Sequence, residues 1–320
     1  MPTNFSVMTW NVENLFPAGH DPGSETPEIF EQKLQNIARI ILDEIQPDVV
    51  AVQEVGGLGP FHVLQQHLNG RYPHARLSAH PDLRGIRVGF LSRFPLEEVD
   101  DLFAIPAGAL RGMVDTQGQP IAHMGRGALK ITVQPAPGWR INLVTAHLKS
   151  KLITYPPDPQ RPHVVRRSPR DEDERACEAG AAVVKRTVEA VALRVFANTL
   201  VTQNQQPLIV LGDFNDVPDA ATTQILRGTE DLSLARPDKG DDTRLYNLAA
   251  EIPAERRFSR IYNKQKELID HILVSYELAR LPHQVDSRTQ DVESIDNQLG
   301  PRRRAVFPDH APVFARFELA

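Results

Sequence analysis

The stretch "FPDHAPVF", Phe307 to Phe314, sets an Asp and a His side by side at the mouth of an apolar run near the C-terminus. A strand that closes a sheet has no need of Asp309 and His310. An unpartnered carboxylate at the end of a core strand is costly, so these residues ask for partners elsewhere in the chain. The same pattern recurs. Asn11 and Glu13 follow "MTW", Glu54 ends "VVAVQE", and His147 ends "INLVTAH". Asp213 and Asn215 end "LIVLGDFN", and Asp270 and His271 lie inside "LIDHILVS". Polar residues thus stand at the ends of at least six apolar runs.

The runs themselves read as strands. "SVMTWNV" (6–12), "DVVAVQEV" (48–55), "IRVGFLS" (86–92), "LKITVQ" (129–134), "INLVTAH" (141–147), "LIVLGDF" (208–214), "IDHILVS" (269–275) and "PVFARFEL" (312–319) are short, β-branched and bounded by Pro, Gly, Asn or Asp. Helical patterns are fewer. Thr26 is a candidate N-cap with Pro27 at the first helical position, and Phe30, Leu34, Ile37, Ala38, Ile41 and Ile45 follow helical spacing. A second helix is predicted from about Asp171 to Leu200, with a stripe through Ala176, Val183, Val184, Val191 and Val195. Its acidic start, "DEDE", suits the positive end of a helix dipole. Many strands and few helices imply sheet packed on sheet with helices outside. No linker between two cores is visible, so the 320 residues read as a single domain, 1–320, with a Pro- and Arg-rich surface insertion near 154–170.

Composition narrows the class. Apolar residues make up 41% and charged residues 24%, a soluble globular balance. With 36 basic and 41 acidic residues the net charge is −5, which argues against a general nucleic-acid coat and allows a local basic groove. The single cysteine, Cys177, permits no internal disulfide and suits a reducing interior. The N-terminus has no basic and apolar leader pattern and no window approaches a membrane span, so a cytoplasmic monomer without membrane contact is expected.

Taken singly, each polar strand end has an ordinary explanation; "GDFND", for instance, suits a turn. Together the acids, amides and histidines make a kit for a hard cation and for acid–base work. Oxygen donors favour Mg²⁺, with Mn²⁺ or Ca²⁺ as alternatives, and zinc would want His or Cys at short fixed spacings. No G-x-S-x-G elbow appears, and "GRGALK" (125–130) lacks the residues of a P-loop.

In this order, "TWNVENL", "VQE", "VTAHLKSK", "LGDFND", "LIDHILVS" and "PDHAPV" resemble the motifs of the endonuclease/exonuclease/phosphatase superfamily, from Thr9 to Phe317. The resemblance implies an α+β, DNase I-like fold: a four-layer α/β/β/α sandwich of two mostly antiparallel sheets flanked by helices. It implies Glu54 as main metal ligand, with Asn11 beside metal and phosphate. Asp309 and Glu13 would help at the metal, Glu13 standing where an Asp is common. Asp213 would orient or deprotonate the attacking water, and Asn215 would hold a phosphate oxygen. His310 would face the scissile phosphate, oriented by Asp270. His147 stands where the DNase I, sugar-phosphatase and lipid-phosphatase branches carry a His, which disfavours abasic DNA as the dedicated substrate; its partner acid is not evident. The chemistry agrees, since a cation and a protonated His stabilise charge on phosphate oxygens while a positioned water attacks.

Substrate signals are thinner. Lys149 is a candidate phosphate contact. Arg84 and Arg87, Arg166, Arg167 and Arg170, and Arg302, Arg303 and Arg304 are candidates for a phosphate-reading rim, and of these Arg87 and Arg304 are taken as substrate contacts. Aromatics near these loops are few, which speaks against a long stacking groove. The expected function is metal-dependent hydrolysis of phosphodiester bonds in DNA or RNA. The alternatives are phosphatase or phosphodiesterase action on a small or lipid phosphate, and an inactive binding scaffold, which would not need the whole polar set.

Overall fold

Alternation along each strand decides which face carries the site. In the computed structural model, which describes residues 3–106, 113–115, 118–153, 155–156, 166, 168–202, 206–228, 243–296 and 299–319, fifteen strands are present among the described residues. They are β1 (Thr3–Leu15), β2 (Val49–Val55), β3 (His74–Leu77), β4 (Arg87–Ser92), β5 (Val99–Ala104), β6 (His123–Ala136), β7 (Trp139–His147) and β8 (Leu208–Asp213). The rest are β9 (Tyr246–Asn247), β10 (Arg260–Tyr262), β11 (Gln265–Glu267), β12 (Asp270–Val274), β13 (His283–Ser287), β14 (Ser294–Ile295) and β15 (Val313–Leu319).

Two six-stranded sheets run β13-β15-β1-β2-β4-β3 and β5-β6-β7-β8-β12-β9, and β11-β10-β14 form a small third sheet. Each large sheet has one parallel pair at its centre, β1 with β2 and β7 with β8, and is otherwise antiparallel. The two halves are thus built on one plan.

Residues of one parity fill the space between the sheets. Val7, Val49, Ala51, Leu143, Ile209, Leu211, Ile272 and Val313 belong to this central core. Residues of the other parity, Met8, Trp10, Val50 and Val52, pack under helices α1 (Pro27–Arg39) and α2 (Leu58–His67). On the second sheet Val144, Ala146, Val210 and Leu273 pack under α3 (Glu172–Val201) and α4 (Ala221–Arg227). The layers are helix, sheet, sheet, helix.

Helix α1 begins as its sequence predicts: Thr26 Oγ1 accepts from the Ile29 amide and Pro27 stands in the first turn. It continues into a π-helical turn, Ile40–Ile45. Helix α3 departs from expectation in its face. Val183 and Val195 are exposed, whereas Ala182, Arg186, Glu189, Ala190, Leu193, Ala197 and Val201 are buried. Small residues let the helix approach the sheet closely, and two charged side chains on that face reach polar backbone beyond its edge. Of the proposed insertion, residues 154, 157–165 and 167 lie outside the described residues.

Candidate active site at the polar end of the sandwich

Followed toward one end, the inward-facing parity turns from apolar to polar. On β1, Val7 is followed by Thr9 and Asn11; on β2, Ala51 by Gln53; on β7, Leu143 by Thr145 and His147; on β8, Leu211 by Asp213. On β12 the sequence runs from Ile272 back to Asp270. Period-two geometry puts all of these side chains in the gap between the sheets. Gln53 ties the two sheets beneath the site, donating to Thr9 Oγ1 and to Thr145 Oγ1, both at 3.1 Å. Gln53 lies inside the quoted "VQE" motif, yet its tie needs residues from both sheets, which no local pattern reveals.

Cross-strand register aligns the site. His147, Asp213 and Asp270 are direct neighbours across β7, β8 and β12. His310 Nδ1 donates to Asp270 Oδ2 at 2.6 Å, and His310 Nε2 lies 4.0 Å from Asp213 Oδ2. His147 Nε2 lies 3.3 Å from the same Asp213 oxygen and 4.0 Å from Glu54 Oε1. Asn11 on the opposite sheet donates Nδ2 to Asp213 Oδ2 at 2.9 Å and to Glu54 Oε1 at 3.2 Å. Glu54 Oε2 accepts the Asn14 amide, and Asp213 Oδ1 accepts the Asn215 amide. Two orphaned atoms mark the centre: among the described residues, Asp270 Oδ1 and His147 Nδ1 are buried without hydrogen-bond partners.

The backbone is bent to make this possible. Glu13, Asn14, Glu54 and Asn215 all have positive φ, the β1–β2 register shifts between Asn11 and Leu15, and the β2–β4 register shifts between Val52 and Val55. Such conformations are uncommon for non-glycine residues and gather where a site over-determines the chain. Gly212 in "LGDF" has a harder reason to be glycine: a Cβ there would lie 2.0 Å from the Ala146 carbonyl oxygen on β7.

Electrostatics separates the groups. Burial alone would lower the His310 pKa, but the Asp270 carboxylate, with Asp213 and Asp309, outweighs it and raises it to about 10. Burial and the nearby Asp270 charge push Asp213 up to about 6. Burial and the Glu13 carboxylate push Asp309 up to about 7. His147 goes the other way: burial, then the Arg126 and Arg84 charges, hold it well below the ordinary range, so it is a neutral imidazole.

Other expected residues are engaged at the margin of the site or within the fold. The Glu13 carboxylate is clamped by Arg302, at 2.8 and 2.6 Å, faces Lys33 Nζ at 3.6 Å, and accepts the Asp309 amide. Asn215 Nδ2 donates to the Leu148 carbonyl, which leaves its second amide hydrogen as what it could offer a phosphate oxygen. Lys149 does not point into the site; its ammonium donates to the carbonyls of Ser150 and Leu152, and burial lowers its pKa to about 8. Arg87 donates to the Ser78 carbonyl, and exposed Arg304 pairs with Glu25. Arg84 and Arg126 both hold Asp82, Arg303 donates to the Gly23 carbonyl, and Arg166 pairs with Glu174. The described arginines of the proposed rim are therefore engaged within the fold.

The donor set suits a hard cation. Glu54, Asp309 and Asp213 offer oxygen only, while Asn11 turns its amide nitrogen to Glu54 and Asp213 and its oxygen to the Glu13 amide. The raised carboxyls of Asp213 and Asp309 reflect burial first and then crowded negative charge, which a divalent ion would relieve. Asp213, Asp270 and His310 also present ligand-type atoms within 4.8 Å of one another, but the contact between His310 and Asp270 is held by a proton.

Residues 8–292 match the profile of the Endonuclease/Exonuclease/phosphatase family, and the chain belongs to it. That family comprises divalent-metal-dependent hydrolases of phosphate esters. Among solved structures, an endonuclease/exonuclease/phosphatase family protein from Leptotrichia buccalis C-1013-b is similar at 15% identity and TM-score 0.57, covering 98% of this chain and 100% of that one. The catalytic domain of human Nocturnin with bound sulfate is similar at 15% identity and TM-score 0.58, covering 100% and 96%. Truncated Caenorhabditis elegans TDP2 is similar at 14% identity and TM-score 0.57, covering 98% of each chain. These likenesses establish the shared fold. A comparison with curated proteins by sequence gives no match. Among the described residues, no helix is long and apolar enough to cross a membrane.

Proposed function

We propose that this protein hydrolyses phosphodiester bonds with the help of a divalent cation, Mg²⁺ or Mn²⁺, and that nucleic acid is its substrate class. The observation that carries this reading is the line of His147, Asp213 and Asp270 across one sheet end, closed by the 2.6 Å contact from Asp270 to His310. His310 keeps its proton through neutral pH and places it beside the scissile phosphate, where negative charge develops. Asp213, held by the Asn11 side chain and the Asn215 amide, receives a proton from the attacking water. His147, neutral and packed against Asp213, fixes the orientation of that carboxylate. Glu54 and Asp309 are the carboxylates that would hold the cation, with Asn11 beside them. Bound there, a divalent cation polarises a nonbridging phosphate oxygen and offsets its charge.

A second reading, action on a small phosphate ester, has one observation in its favour. Among the described residues, the arginines proposed to read a polynucleotide backbone are paired with acids or carbonyls of the protein itself. A panel of plasmid, linear and single-stranded DNA, RNA, small phosphodiesters and small phosphomonoesters, with and without Mg²⁺ or Mn²⁺, separates the two. Turnover confined to monoesters would overturn the phosphodiesterase reading.

A further inference from the structure

A second row of side chains stands beside the first. Arg260 on β10 is the direct antiparallel partner of Glu267 on β11, and on its other flank it forms an isolated antiparallel bridge with His310. Directly opposed residues of antiparallel strands carry their side chains on the same face, about 5 Å apart at Cβ. Glu267, Arg260 and His310 therefore line up as a row, and the Asp270–His310 contact joins it to the row of His147, Asp213 and Asp270. The splice is firm. Ser259 Oγ accepts the amides of Ile269 and Asp270, and the Ser259 carbonyl accepts the Ala311 amide at 2.7 Å. Arg260, next in sequence to Ser259, is thus fixed on the flank of His310.

Glu267 is a hub for two cations. Arg260 Nη2 donates to its Oε2 at 2.9 Å, and Lys151 Nζ lies 3.4 Å from its Oε1. Lys151 also faces Asp216 at 3.6 Å, but that carboxylate is already matched by Arg186 at 3.1 Å. Two cations on one carboxylate leave a positive charge over, at the edge of a site whose other members are mostly acidic. Lys151 is 41% exposed on its side chain and Arg260 is 16% exposed, so the pair opens to solvent.

We infer that Arg260 and Lys151, spaced by Glu267, form a second phosphate subsite next to His310, which takes the phosphate adjacent to the scissile one. The inference rests on the phosphodiester reading and adds to it a preference for substrates with neighbouring phosphates. Lys151, two residues beyond Lys149 in "HLKSK", takes the part that the sequence pattern suggests for Lys149.

The test is a binding comparison that needs no turnover. A thymidine dinucleotide with an uncleavable, neutral methylphosphonate link is titrated into the full chain, with and without a terminal 5′- or 3′-phosphate, in Mg²⁺ buffer. One terminal phosphate is expected to tighten Kd by about tenfold or more in the wild-type protein, the range of a charge-assisted contact. R260Q and K151Q should each erase most of that gain, and R260K should keep part of it. K151Q changes an exposed side chain and decides the matter should R260Q fail to fold. No gain from either terminal phosphate in the wild type, or a gain that survives K151Q and R260Q, would overturn the subsite. A wild-type protein that shows the gain but cleaves no phosphodiester would instead sink the catalytic reading and leave the subsite standing.

Discussion

His310 Nδ1 and Asp270 Oδ2 are 2.6 Å apart, although forty residues separate them in sequence and Asp270 is wholly buried. The second carboxylate oxygen, Oδ1, has no partner among the described residues, so the pairing with His310 is what offsets the burial of this charge. Replacing Asp270 by Asn keeps the shape and removes the charge that holds the imidazolium. D270N is expected to lower kcat on bis-p-nitrophenyl phosphate by about 10²-fold or more, within the range of general acid–base catalysis. D213A should abolish turnover with Tm nearly unchanged, and H310A should abolish it with a lower Tm, because Asp270 then loses the partner that offsets its burial. If D270N or H310A instead unfolds the protein at room temperature, the pair is structural.

Among the described residues, Glu54 differs from Glu13 in having no guanidinium on it. Its oxygens accept from Asn11 and Asn14, neutral donors that leave the carboxylate charge for a cation. Chelation by EDTA should stop turnover and Mg²⁺ or Mn²⁺ restore it. The same ions should raise Tm of the wild-type protein, because a ligand of the folded state alone stabilises it. E54Q should lose the Tm response and need about tenfold more metal for half-maximal rate. Full activity in chelator would end the metal assignment.

Glycine is demanded by sterics at one place in the site and not in α3. The Cβ of an alanine at Gly212 would meet the Ala146 carbonyl at 2.0 Å, where β7 and β8 run parallel beneath the site. G212A is expected to destabilise the fold by several kcal/mol, or to prevent its recovery in soluble form. Gly180, in α3 and with no neighbour within 4 Å of an added Cβ, should gain about 0.5–1 kcal/mol on mutation to Ala. Urea melts of the two variants check both signs; equal effects would refute the steric account.

How much of the fold and site is legible in the sequence follows from where the information lies. The eight quoted apolar runs all fall in strands, because period-two burial is written locally. The strand ends supply Asn11, His147, Asp213, Asp270 and His310, and the structure brings them together. Short pieces such as β10, β11 and β14 carry two or three residues each and have no period to read. Their partner strands alone define them, so no local pattern marks Arg260. The face of α3 is not legible either, since its β-branched residues look like a core stripe. The helix instead buries Arg186, which donates to the Lys149 carbonyl, and Glu189, which accepts the amides of Gly125 and Lys149. An arginine run gives charge and not its pairing, which is why Arg302 reads as a phosphate contact in the sequence and clamps Glu13 in the fold.

Tyr72 offers a test of the fold away from the chemistry. Its hydroxyl donates to the Pro47 carbonyl at 2.5 Å, and burial pushes its pKa up to about 12 against the opposing charge of Arg93. A pKa raised in the folded state means that its contribution is complete below the unfolded value, about pH 10, and is lost as pH rises toward about 12. A rise of that size is worth about 2–3 kcal/mol. Stability of the wild type minus that of Y72F, from urea melts, should be flat below about pH 10 and shrink above it. A difference that does not change across this window would refute a buried, hydrogen-bonded phenol.

Glu13 tests whether a residue beside a metal site holds the metal or holds the site. Burial opposes its charge, yet Lys33 and the bidentate Arg302 bring its pKa below the ordinary value, and it also accepts the Asp309 amide. It therefore anchors "PDH" to the first strand through one carboxylate. E13Q leaves Arg302 and Lys33 facing a neutral amide, and breaking a buried pair from one side costs about 3–5 kcal/mol. At about 2–4 °C per kcal/mol for a chain of this size, Tm should fall by roughly 10 °C. The Mg²⁺ concentration for half-maximal rate should stay close to that of the wild type when both are measured well below the lower Tm. An unchanged Tm with a tenfold rise in that concentration would make Glu13 a metal ligand and would free Arg302 to meet the substrate.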